Sequence, residues 1–104
     1  MKKVLFSVVF GVFMTGAAMA DVTDLQLATS KNCMSCHAVE RKVLGPSFKD
    51  VAAKYKDNKG AVDLLATKIM KGGSGVWGPV PMPANTQVSD ADAKRLAAWV
   101  LSAK

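Results

Sequence analysis

The stretch "KNCMSCHAV", residues 31–39, contains both cysteines of the chain and its only histidine. Cys33 and Cys36 lie three positions apart, and His37 follows at once. Three chemistries use such a set. A dithiol redox pair of the thioredoxin kind accounts for the cysteine spacing in an oxidising compartment, but that site follows a strand in a βαβ setting and no strand alternation is readable here. A plain disulfide between the two would close too small a loop to stabilise much. Structural zinc takes four N or S ligands; the motif supplies at most three, and no other Cys or His completes the set. Covalent haem attachment uses all three side chains. Residues three apart share one face of a helical turn, so two sulfurs meet the two vinyl groups on one haem edge. The neutral imidazole of His37 then faces the iron. Cys-x-x-Cys-His is the attachment pattern of c-type haem, and the rest of the sequence favours this reading over the dithiol.

Haem iron has a second axial position. With one histidine, bis-histidine ligation within a single chain is impossible. Met34, Met70 and Met82 are the thioethers beyond residue 20. Met34 lies inside the attachment turn on the His37 side, and Met70 sits on an apolar helix face where a core role fits better. Met82 stands between Pro81 and Pro83 in "PVPMPAN", 45 residues after His37. Proline fixes φ, and the residue before proline avoids the helical region, so Met82 is held in a stiff, extended segment. His37 and Met82 are the expected axial pair. Such a pair leaves no open position for oxygen or peroxide and raises the reduction potential, which points to one-electron transfer rather than catalysis. The alternative keeps Met82 off the iron, giving a five-coordinate haem that binds a small ligand or reduces peroxide. No second histidine or acid–base partner supports it.

These residues need elements to hold them, and four short helices are readable. The first runs from about Asp24 to the cysteines, with a weak apolar pattern (Leu25, Leu27, Ala28). The second starts at Ser47, an N-cap, and carries Phe48, Val51 and Ala52 to about Tyr55. The third places Val62, Leu65, Ala66, Ile69 and Met70 on one face and ends at Gly72-Gly73. The fourth opens on Ser89-Asp90-Ala91-Asp92 and aligns Ala93, Leu96, Ala97, Val100 and Leu101. Between the last two lies "GGSGVWGPVPMPANTQV", residues 72–88. It is rich in Gly and Pro yet carries Val76, Trp77, Val80 and Met82, so it is expected to fold over something apolar.

The start of the chain reads differently. Lys2 and Lys3 precede the apolar run "VLFSVVFGVFMTGAA" and the small residues Ala18–Ala20, the layout of a secretory signal peptide. Cleavage after Ala20 leaves one domain, residues 21–104. An uncleaved anchor is the alternative, disfavoured because Ser7, Gly11, Thr15 and Gly16 dilute a short run. The domain is expected in the periplasm, without stable membrane insertion. Its 12 basic and 8 acidic side chains, a net +4, suit an acidic protein surface. Nucleic acid is a poor fit, since no Arg-rich or aromatic–basic run occurs. So few residues bury a thin core, and a cofactor is the expected staple.

From Cys33 to Lys104 the sequence resembles the small bacterial class I cytochromes c of the c-551/c-552 group. The likeness rests on "CMSCHAV", "VLGPSFKDVAAKY", "IMKGGSGVWGPVPMPAN" and "DAKRLAAWVLSAK". It implies an all-α fold of about four short helices around one haem c, attached through two thioether bonds, with His37 proximal and Met82 distal. It further implies that the Pro46 carbonyl accepts a hydrogen bond from the His37 ring. Trp77 would direct its indole N–H at a propionate, and Asn85 would lie near the Met82 sulfur. Lys68 falls where some relatives carry arginine near a propionate, a contact that lysine makes without the planar fork. Leu96 and Trp99 read as core, with the last helix packed on the first. The group shuttles single electrons between membrane complexes and reductases, oxidases or peroxidases. The implied partners are redox proteins met by a monomer, with Lys31, Lys42 and Lys71 expected to steer acidic surfaces.

Overall fold

Thr23 and Gln26 open the first helix by exchanging hydrogen bonds. The Gln26 amide donates to the Thr23 hydroxyl (3.1 Å), and the Thr23 amide donates to the Gln26 side chain (2.9 Å). This reciprocal cap satisfies two orphan donors and starts α1, Asp24–Ser30. The computed structural model describes Gly11 and residues 22–104. The expected signal peptide, residues 1–20, therefore falls outside the described residues, Gly11 apart.

The first helix stops short of the cysteines that it was expected to reach. Asn32 takes φ 66°, a left-handed conformation that asparagine tolerates better than most residues, and this breaks the helix. A 3-10 turn, Cys33–Ser35, follows. The Ser47 hydroxyl accepts from the Asp50 amide at 3.1 Å and starts α2, Phe48–Tyr55. The helix α3 spans Ala61–Lys71 and ends at Gly72. Ser89 caps α4, Asp90–Leu101, by accepting from the Asp92 amide at 3.1 Å. Asp90 and Asp92 lie in its first turn, where the helix dipole favours negative charge. Among the described residues there is no strand, only two isolated bridges.

The fourth helix is the hub. It packs most extensively on α3, then on α2, and less on α1. Ala28, Ala66, Ala93 and Ala97 are fully buried at these contacts, and their small side chains let the helix axes close up. Leu96 is the large side chain buried deepest, so truncating it to alanine should cost about 2–5 kcal/mol. Trp99 is half-buried and packs against the same core. On α3 the buried stripe is Ala61, Leu65 and Ala66, while Val62 is exposed. Of the expected face, Leu65 and Ala66 are buried and Ile69 and Met70 pack against the core, while Ala61 takes the inward place expected of Val62. Arg95 ties the N-terminal end to α4 through Asp24 (2.7 Å) and the Val22 carbonyl.

Candidate functional site

The attachment turn, α2, α3 and the 72–83 segment leave an apolar cleft whose empty space, including its open mouth, is about 1440 Å³. Cys33, Cys36, His37, Pro46, Lys68, Trp77 and Met82 all line it, while Leu65 and Leu96 close its back. Sequence positions 33 to 82 are thus brought around one space.

His37 is fixed from three sides. Hydrogen bonds from Gly45 N to the Cys36 carbonyl (2.8 Å) and from Phe48 N to the Ala38 carbonyl (3.0 Å) fold residues 36–48 back on themselves. This brings the Pro46 carbonyl oxygen within 2.8 Å of His37 Nδ1. A carbonyl only accepts, so Nδ1 carries the proton and Nε2 keeps a lone pair able to bind a metal. Phe48 stacks on the imidazole at 5.2 Å and 25°, and Trp99 meets Phe48 edge-on at 5.3 Å. Gly45 is required by the close approach: a Cβ there would overlap Cε1 of the ring and lie 2.8 Å from Nδ1.

The backbone of Met82 is pinned to Gly73. Its N–H donates to the Gly73 carbonyl (2.8 Å), and its own carbonyl accepts from Gly73 N–H (3.0 Å). At Gly72 the backbone has φ 72° and ψ −166°, a region open essentially to glycine. A Cβ there would overlap the Met82 carbonyl oxygen and sit 2.8 Å from Ala84 N. Met34 and Met70 instead pack against the helical core.

Other residues singled out in the sequence take varied positions. The Asn85 side-chain amide donates to the Ile69 carbonyl (2.8 Å) and, at 3.5 Å, to the Pro83 carbonyl; among the described hydrogen bonds none joins it to the Met82 sulfur. Trp77 is exposed at the mouth of the cleft, with Lys54 Nζ 5.5 Å from its ring centroid. Half-buried Lys68 lines the cleft and ends beside Gly73. Lys42 borders the cleft and Lys71 is exposed at the end of α3. Lys31 is half-buried and donates to the Gln87 carbonyl at 3.3 Å. Cys33 and Cys36 are not joined in a disulfide and both are half-buried. Before any group is attached, burial pushes the Cys33 thiol up, against the opposing effect of its own backbone N–H.

This donor set suits a covalently held porphyrin. It offers paired thiols at one edge, an imidazole with a free Nε2, a thioether and an apolar lining. Among the described residues no group of three or more His, Cys, Asp or Glu side chains could hold a bare metal ion. The protein family described as Cytochrome c matches residues 25–104. The chain belongs to the cytochrome c family. It is 58% identical over 81 residues to cytochrome c-552 of Nitrosomonas europaea, covering 78% of this chain and 79% of that one. Cytochrome c-552 of Hydrogenobacter thermophilus is 53% identical over 104 residues, the full length of both. The crystal structure of the wild-type Nitrosomonas europaea protein matches with a TM-score of 0.76 at 57% identity, over 77% of this chain and 99% of that one. The Class 1 cytochrome MtoD of Sideroxydans lithotrophicus matches with a TM-score of 0.66 at 30% identity, over 76% and 90%.

This cytochrome is accordingly a small electron carrier and not an enzyme, with haem c attached covalently through the cysteines of its Cys-x-x-Cys motif. Among its described residues no helix is long and apolar enough to cross a membrane. Gly45, Phe48 and Gly73 belong to the site although their spacing announces no chemistry. The available signal was glycine in the sequence itself: Gly45 before Pro46, and Gly73 just past the end of α3.

Proposed function

We propose that this cytochrome is a periplasmic, monohaem one-electron carrier, exported by residues 1–20, with His37 and Met82 as the axial ligands. When bound, haem c supplies a reversible ferric/ferrous couple. The observation that carries the reading is that the His37 ring, protonated on Nδ1 toward Pro46, and the backbone-pinned Met82 line the same cleft. His37 offers Nε2, made more basic by the Pro46 contact. Met82 offers a thioether, which stabilises the reduced state and excludes external ligands. Phe48 and Trp99 prevent the imidazole from rotating away. Trp77 and Lys68 serve the propionates from the cleft mouth, and Asn85 holds the Ile69–Pro83 frame around the thioether.

The partners are redox proteins with acidic docking surfaces, one donating and one accepting an electron, and the carrier works as a monomer. Lys42 and Lys71, near the exposed edge of the cleft, steer them. Absorption spectra of the purified protein in both oxidation states test the ligation. Low-spin haem c with the far-red charge-transfer band of thioether on ferric iron is the expected result. A high-spin ferric spectrum that shifts with added cyanide would overturn it.

A further inference from the structure

Gln87 lies five residues beyond Met82, just before the cap of α4, and bonds in two directions. Its Nε2 donates to the Lys31 carbonyl (3.2 Å) and to Asn85 Oδ1 (3.3 Å). In return, Lys31 Nζ donates to the Gln87 carbonyl (3.3 Å). Lys31 is the C-cap of α1 and stands two residues before Cys33. Carbonyls at a helix end have no intrahelical partner, so Gln87 caps the C-terminus of α1 from a position 56 residues away. Accepting at Oδ1 also orients the Asn85 amide, whose NH2 group is then directed at the Ile69 and Pro83 carbonyls. Val88, the next residue, is buried in the core and anchors the far side.

We propose that Gln87 is a positioning residue: it braces the Met82 segment against the helix that leads into the attachment turn, and so keeps the thioether seated. The inference rests on the axial role of Met82 proposed above. The segment has few other ties. Met82 is pinned to Gly73 on one side and Asn85 to Ile69 on the other, and Pro83 and Ala84 between them are exposed. Removing the brace frees the segment to swing outward without unfolding the helices.

Imidazole is the probe, because it occupies ferric iron only when the thioether has moved away. The ferric haem-loaded protein is titrated with imidazole, and loss of the far-red band is followed. Gln87→Leu removes the donor at nearly constant volume, and Gln87→Glu supplies a side chain that cannot donate. Both should raise the apparent imidazole affinity about tenfold, the effect of one or two net hydrogen bonds. Amide exchange at Met82 and Asn85 should accelerate in both variants. Lys31→Met, which removes only the returning bond, should raise the affinity about threefold or less. Arg95→Leu, which cuts the separate tie to Asp24, serves as a destabilised control and should leave the affinity unchanged. Affinities within twofold of wild type for both Gln87 variants, or an equal rise in the Arg95 variant, would overturn the brace. If the wild-type protein lacks the far-red band and Met82→Ala binds imidazole no better than it does, the axial reading itself fails.

Discussion

His37 Nδ1 stands 2.8 Å from the carbonyl oxygen of Pro46, and a methyl group on neighbouring Gly45 would overlap Cε1 of the same ring. Gly45→Ala must therefore displace the ring. Overpacking of this kind costs about 1–3 kcal/mol, to be read from guanidinium unfolding of the haem-loaded protein. The strained contact with Pro46 should also make the imidazole a poorer donor and raise the reduction potential. A variant with wild-type stability and potential would show that the ring is not clamped here.

Met82→Ala should abolish the far-red band and lower the potential by at least about a tenth of a volt, within the roughly 0.8 V that axial ligands span. Cyanide should then bind the ferric protein readily. Met70→Leu is the contrast, since Met70 packs against the core: its spectrum and potential should match those of wild type.

Gly72→Ala tests the backbone that carries the thioether. With φ 72° and an overlap with the Met82 carbonyl, the substitution should cost about 1–3 kcal/mol in thermal unfolding and weaken the far-red band. A loss of stability with an unchanged band would mean that Gly72 serves only the end of α3.

Lys54 on α2 lies over both Tyr55 (6.0 Å) and Trp77 (5.5 Å), joining α2 to the 72–88 segment. A double-mutant cycle of Lys54→Met and Trp77→Leu should give a coupling energy of about 0.5–1 kcal/mol, the range for exposed cation–π pairs. Zero coupling would mean that the two side chains are merely near each other.

Electron transfer to an acidic redox protein should slow as ionic strength rises, because charges more than about 8 Å apart are screened at 0.15 M salt. Lys42→Glu should flatten the dependence more than Lys59→Glu on the α2–α3 turn, away from the cleft lining. Equal effects would assign steering to net charge alone.

The helices were largely legible because their signals are local. Ser47 and Ser89 announce α2 and α4, and Gly72 ends α3, each within a turn of the residues it governs. The Cys-x-x-Cys-His cluster is legible for the same reason. What escaped depends on contacts between distant segments. The exposed Val62 looks like core until α3 is seen to bury Ala61, Leu65 and Ala66 instead. Asn32 gives no periodic warning that α1 will stop before the cysteines. The pairing of Gly73 with Met82 and of Lys31 with Gln87 spans separations at which composition and periodicity carry no information.

Residue 82 is located by two peptide-group hydrogen bonds to Gly73, neither of which involves its own side chain. The scaffold therefore specifies an address rather than an occupant. On the axial reading proposed above, histidine or lysine installed there would start from the same backbone position, and either should shift the operating voltage of this protein while the Gly73 pairing stays in place.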